Sequence, residues 1–462
     1  MDKSVQKEEL QRNLKNRHIQ MIAIGGAIGV GLFYGSAGAI SMTGPSIALA
    51  YVIGGFFIFL IMRALGELSV ADPVSGSFSA YATRYLGRFA GFFSGWTYWF
   101  QGITTVMAEL TVVGIYLQFW IPSFPKWVAA LIVLALLVTV NLINVKAYGE
   151  FEFWFALIKV VAIICMIVFG ILMILFGFGN GGHAVGFSNL WANGGFFTGG
   201  LKGFVMVFVL VAFAFGGVEL IGVTAGEADH PEKSIPKAIN NVFWRILIFY
   251  VGALGVMVTL YPWNQIGTNG SPFVLVFDKV GIPAAASIIN FVVLTAALSG
   301  MNSALYAITR LLYNLSLNNN APKAFSRVNK AGVPVVGIWF SAAVALIAVV
   351  LNYIVPAKVF EIISSVTVVA IITAWGTILI AQLKFRKHKQ ATGEEIAFKM
   401  PFAPFSTYLA LGFLVFLVIA MAFLSATRIA LYITPIWVLL LVIMYRVLRR
   451  GESKESGASL GN

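Results

Sequence analysis

The sequence predicts an all-α integral membrane protein of twelve transmembrane helices, and three observations lead there. Of its 462 residues 59% are hydrophobic and only 11% are charged, with a mean hydropathy of +0.89, a balance outside the range of soluble globules. Apolar runs recur at about the 20 residues a helix needs to cross the hydrocarbon core, where a barrel would show short alternating strands. The cations, finally, gather on one side of those runs. The predicted spans are 19–40, 44–66, 90–120, 127–145, 153–178, 202–224, 243–262, 284–313, 334–355, 359–383, 404–424 and 429–448.

The net charge of +13 would suggest nucleic acid in a soluble chain, but its distribution excludes that. With both termini cytoplasmic, only Lys126, Lys202, Lys279, Lys358 and Arg428 of the 31 Lys and Arg fall in outer loops, and Lys159 lies inside a span. The other 25 flank or fill the inner segments. This is the positive-inside pattern, so the basic excess is a topology signal that also attracts anionic lipid. The expected location is the cell membrane, with a tail over 1–18, one transmembrane domain over 19–448 and a tail over 449–462 that reads as disordered.

The N-terminal tail is polar and basic, and the apolar run after it has no small-residue cleavage site, so no signal peptide is read. The first span carries GGAIGVGLF (Gly25 to Phe33), four glycines in seven positions. Each glycine costs a helix about 1 kcal/mol relative to alanine, so the helix is expected to unwind there. Unwound backbone in hydrocarbon must face protein, water or a ligand. Its free amides suit a carboxylate and its free carbonyls an ammonium. The competing reading is close helix packing through small residues.

After the second span, Arg63, Glu67 and the stretch 75–89 read as a cytoplasmic loop. Phe78, Tyr81, Tyr85 and Leu86 have the spacing of an amphipathic interfacial helix there, which serves as an anchor. The third span holds Glu109 among Gln101, Thr104, Thr105 and Thr111, and the fifth holds Lys159 in EFEFWFALIKVVAII. A glycine-rich outer loop, Gly177 to Gly200, precedes span six.

Span six repeats the interruption as AFAFGGVELIG, Ala212 to Gly222. It comes five spans after the first break. Five is odd, so the two helices enter the membrane from opposite sides, and spans 1–5 (19–178) and 6–10 (202–383) can form an inverted repeat. Paired interrupted spans in two inverted halves are the sequence pointer to a secondary-transporter site. Spans 11 and 12 (404–448) are left for packing or homodimer contacts. In the loop that follows span six, Ser234 reads as an N-cap with Pro236 near the start of a short helix.

Ionisable groups within spans are costly and mark function by default. Glu219 follows the second break, either to bond its freed amides or to gate. Lys159 either snorkels to the interface or turns inward to the first break and exchanges a proton there. The single Cys165 allows no intramolecular disulfide and no cysteine metal cluster. His18, His183, His230 and His388 lie in loops or tails, and there is no HExxH pair, P-loop or GxSxG elbow. Neither a metal, a cofactor, ATP-driven transport nor an enzyme is expected.

Together, GGAIGVGLF, AFAFGGVELIG, GEADHPEKSIPKAI and NFVVLTAALSGMNSALYAITR resemble bacterial amino acid permeases of the amino acid, polyamine and organocation (APC) superfamily. The resemblance runs over roughly 17–450 and implies a leucine-transporter-like fold of five plus five inverted repeats with two extra helices. It also implies proton-coupled amino acid uptake by symport. On that basis the α-carboxylate falls on amides of Gly29, Val30 and Gly31, and the α-ammonium on carbonyls of Ala27, Ile28, Phe213 and Ala214. Within the second break, from Phe213 through Phe215 to Gly217, Phe213 matches a gating aromatic, while Gly216 and Gly217 leave room for a side chain. Lys159 matches a lysine at a vacant sodium position and couples the proton, and Glu219, with Glu109, is a gating or structural carboxylate. Val30 stands where relatives carry a hydroxyl residue, so one side-chain bond to the carboxylate is absent. No acidic residue of span six is expected to point into the pocket. The implied substrate is a neutral or weakly basic amino acid of the threonine, serine, proline, alanine or histidine type. An exchanger of the same fold and a non-transporting sensor are the competing readings.

Overall fold

The computed structural model describes residues 28–74, 76–143, 145–223, 230–267, 270–279 and 283–458, so the N-terminal tail lies outside it, with Gly25, Gly26 and Ala27 of the first break and the last four residues of the chain. All regular structure among the described residues is helical. A π-helical turn at Gly31–Gly35 leads into α1 (Ser36–Thr43) and then, past a turn at Gly44–Ser46, α2 (Ile47–Ala71). There follow α3 (Ser77–Leu86), α4 (Arg88–Gln118), α5 (Lys126–Ile143) and α6 (Val145–Phe176). The interrupted segment consists of α7 (Gly200–Met206), α8 (Phe208–Ala214) and α9 (Leu220–Val223). Next come α10 (Pro231–Arg245), a π segment at Ile246–Gly252, α11 (Ala253–Leu260) and α12 (Pro272–Lys279). The chain ends with α13 (Pro283–Leu317), α14 (Val335–Ile354), α15 (Val359–Thr392), α16 (Phe405–Phe423) and α17 (Ser425–Ala458).

Ten helical stretches among the described residues are long and apolar enough to cross a bilayer. One is the 41-residue run Gly31–Ala71, while Gly200–Ala214 is apolar but shorter. Burial orders them from centre to rim: 72% of the most apolar window is buried in Arg88–Gln118 and in Val359–Thr392, against 6% in Ser425–Arg449. The central helix is α4, which packs most extensively on α13 and α15. Small residues permit that approach, since a Cβ added to Gly102 of α4 would lie 2.1 Å from Ile308 of α13. Such contact replaces the hydrophobic drive that hydrocarbon solvent cannot supply. The rim is apolar outward: Ile132, Phe169, Val415 and Leu439 are exposed. Cys165 is exposed on α6.

Four expectations change. Arg63 and Glu67 lie within α2 rather than in a loop, and Glu67 is buried. Its carboxylate takes a two-pronged ion pair from Arg386 at 2.6 Å and 2.6 Å, with further bonds from Gln382 Nε2 (3.2 Å) and the Met400 amide (2.7 Å). Such a carboxylate looks like a loop residue in sequence because its partners are more than 300 positions away. The amphipathic stripe of α3 faces protein rather than the interface: Phe78 and Tyr81 are 1% exposed, with Phe78 edge-on to Tyr98 at 4.6 Å. Ser234 is not the N-cap. Pro231 already occupies the first turn behind His230, and Ser234 Oγ bonds back to the His230 carbonyl at 2.7 Å. Finally, the C-terminal segment is helical as far as Ala458, because α17 simply continues past the apolar stretch.

Candidate functional site between the two interrupted helices

The glycine cluster divides its labour. Ile28 and Gly29 are bent rather than helical, and the Gly29 carbonyl accepts from the amides of Leu32 (3.1 Å) and Phe33 (3.2 Å) as winding resumes. Gly31 is the packing glycine: a Cβ there would lie 2.5 Å from the Ala214 Cα. The two breaks therefore meet backbone to backbone. Gly29 serves a different purpose. A Cβ on it, or on Gly300 of α13, would lie 2.9 Å from Glu109 Oε1, so both glycines make room for that carboxyl group, which accepts the Val30 amide at 3.2 Å.

The second break runs from the end of α8 to the start of α9. Gly217 has φ +100°, a conformation open to glycine and strained for other residues. Its amide points at both Glu219 oxygens, 3.2 Å from each. Glu219 also accepts from Gln101 of α4 and from Trp375 Nε1 of α15 (3.3 Å). Of the two roles open to this carboxylate, bonding the freed amides is the one the geometry displays. Tyr250 Oη donates to the Ala214 carbonyl at 2.8 Å, and the Phe213 carbonyl accepts from Gly216 at 3.1 Å.

Lys159 does not snorkel. It is 0% exposed, and its Nζ donates to the Ile28 carbonyl (3.3 Å) and Ser299 Oγ (3.0 Å), with Ser299 Oγ in turn donating to Glu152 Oε1 at 2.7 Å. Glu152 is fully buried. Sequence reading passed over it, though a carboxylate seven residues before a lysine lies two turns away on the same helical face.

A cavity of about 60 Å³ opens between the breaks. Among its walls are Gly29, Val30, Gly31, Glu109, Phe213, Ala214, Gly216, Gly217 and Glu219, joined by Tyr98, Thr105, Ser303, Thr367 and Ile371 from the central helices. Ile28, Phe215 and Lys159 stand behind the wall. Phe215 packs between Tyr51 (5.4 Å) and Tyr250 (4.9 Å) and contributes to the scaffold. Glu219 does line the cavity, contrary to the expectation for span six, although its oxygens are engaged as above. Phe213 stands edge-on to Phe360 (5.7 Å), which meets Tyr34 at 4.8 Å. Thr105 and Ser303 belong to stretches the sequence singles out, whereas no local pattern flags Tyr98 of α4 or Thr367 and Ile371 of α15, which tertiary packing brings here. Among the described residues no group of three His, Cys, Asp or Glu is placed to hold a metal ion.

The amino acid permease family model matches residues 18–455. The chain belongs to the amino acid permease family. It is a multi-pass membrane protein of that family, within the APC superfamily. Similar permeases include the Bacillus subtilis (strain 168) protein named uncharacterized amino acid permease YtnA, 54% identical over 441 residues, 95% of each chain. The probable threonine/serine transporter YbxG of the same organism is 50% identical over 449 residues, 97% of each. The aromatic amino acid transport protein AroP of Escherichia coli O6:H1 is 48% identical over 438 residues, 95% of each.

Proposed function

We propose that this permease imports a neutral or weakly basic amino acid by proton symport with alternating access. The observation that carries the reading is the meeting of two interrupted helices, Gly31 against Ala214, beside a cavity walled by both breaks. Peptide groups there suit the head that all amino acids share, and the α-carboxylate is assigned to the amides of Gly29, Val30 and Gly31. The Phe213 carbonyl, with that of Ala214 when Tyr250 yields it, is assigned to the ammonium. Phe213 and Phe360 close over the site. Thr105, Ser303 and Thr367 around a small cavity favour a small hydroxyl side chain, consistent with the name of YbxG.

Twelve crossings are proposed, since a 41-residue apolar run spans about 60 Å, twice the hydrocarbon thickness, and the interrupted segment adds another. The proposed arrangement is an inverted repeat of 19–178 and 202–383, with both termini cytoplasmic. Lys159 links the proton to the cycle by holding the first break through the Ile28 carbonyl. One charge moving down about 100 mV releases about 2.3 kcal/mol, which supports roughly fifty-fold accumulation of a zwitterion at 1.4 kcal/mol per tenfold.

The test is uptake into proteoliposomes. A symporter accumulates substrate on an imposed pH gradient with no amino acid inside, an exchanger requires internal substrate, and a sensor moves nothing. Lys159→Ala is expected to abolish gradient-driven accumulation. A variant that still concentrates substrate removes Lys159 from coupling.

A further inference from the structure

We propose that Glu109 is a proton-dependent stand-in for the substrate's own carboxylate: it occupies the Val30 amide when ionised and vacates it when protonated. This rests on the symport reading above and names the atom that receives the proton. The amide in question is at the start of a half-helix, where orphan N–H groups and the helix dipole favour a carboxylate. Glu109 Oε1 already sits there, 3.2 Å from Val30 N, in a slot that a Cβ on Gly29 or Gly300 would close. The side chain is 2% exposed, it lines the cavity, and Oε2 has no hydrogen-bond partner among the described residues.

Two carboxylates cannot share one amide in so buried a site, because like charges at such range do not both stay ionised. The charged and titratable groups around Glu109 are Lys159 from α6, Tyr116 two turns further along α4, and Tyr34 beside Tyr116. Tyr98 and Glu219 stand on the same cavity. Lys159 is directed to Ile28 and Ser299. An incoming substrate anion therefore needs Glu109 neutral.

The step balances. A proton from the outer medium forms an O–H on Glu109, and the bond from the Val30 amide to Oε1 breaks. The substrate carboxylate then accepts both the Val30 N–H and the Glu109 O–H. On the inner side the amino acid leaves, the proton follows, and Oε1 returns to Val30. One zwitterion and one proton cross per cycle, while Lys159 keeps the first break closed until Glu109 is loaded.

The experiment is proton uptake on binding by the purified full-length protein in weakly buffered detergent, using an equimolar mixture of neutral L-amino acids as probe. Wild type is expected to take up about one proton per site on binding, and its affinity to fall toward tenfold per pH unit once Glu109 ionises. Glu109→Gln, a neutral isostere, takes up none, and its affinity is flat with pH. Lys159→Ala retains the uptake. The proposal is overturned by wild-type binding without proton uptake, by E109Q retaining it, or by K159A alone losing it. If E109Q does not accumulate in the membrane, wild type and K159A decide by the same criteria. A wild type that moves amino acids on a pH gradient yet fails these tests leaves the symporter standing and removes Glu109; one that neither binds nor moves them sinks both.

Discussion

Substituting Gly31 by alanine tests whether the two breaks must touch. The added Cβ would lie 2.5 Å from the Ala214 Cα, 3.1 Å from its Cβ and 3.2 Å from its amide nitrogen. Carbon atoms pack at about 3.5–4.0 Å, and the obstacle is backbone, which cannot rotate aside. The breaks must part by about 1 Å. Overpacking of this kind costs about 1–3 kcal/mol, which is about 5- to 140-fold in the population of the touching arrangement. Gly35→Ala and Gly38→Ala are matched controls in the same segment, where the nearest neighbours would lie at 3.8 Å and 3.7 Å. Thermal unfolding in detergent and competition uptake should show G31A weakened in both, with the controls neutral. If all three variants behave alike, the site does not depend on this contact.

Breaking the buried ion pair by Arg386→Met strands Glu67 and should cost about 3–5 kcal/mol, while Glu67→Leu with Arg386→Met should recover much of it; a double-mutant cycle on thermal stability reads the difference. Tyr250→Phe removes the bond to the Ala214 carbonyl (2.8 Å), for an expected loss of about 0.5–1.5 kcal/mol and a shift in substrate affinity with unchanged protein yield. Glu219→Gln replaces an acceptor for Gly217, Gln101 and Trp375 with a group that must turn an N–H toward one of those donors. We expect a cost of about 1–3 kcal/mol, seen as lost uptake and a lowered unfolding temperature.

The two breaks that wall the candidate site were legible because their signals are local. Glycines clustered in an apolar run announce a break, and Lys159 and Glu219 stand out because charge is rare in spans. Even so, sequence offered binding and packing as rival explanations of one glycine cluster, and the structure divides them: Gly31 packs on Ala214, while Gly29 makes room beside Val30 for Glu109. Glu67 was misread because no local pattern distinguishes a loop carboxylate from one paired with Arg386. Phe78 and Tyr81 show the same limit, since an amphipathic stripe fits a membrane surface and a protein groove equally well. Glu109 was noticed as a buried charge, but its seat on the Val30 amide depends on α4 passing the break, which no spacing encodes.

The Glu67–Arg386 pair does more than join two helices. Arg386 also reaches the carbonyls of Ala403 (3.2 Å) and Met400 (3.1 Å), Arg63 stacks on Phe398 at 3.8 Å and bonds Asn240 and the Lys399 carbonyl, and so α2, α10, α15 and the 394–404 strap share one knot. Its centre cannot loosen by degrees, because parting Arg386 from Glu67 leaves a buried carboxylate unmatched. Any rearrangement that parts α2 from α15 at this end of the bundle must break that pair as a unit, and we expect turnover that requires it to depend steeply on temperature.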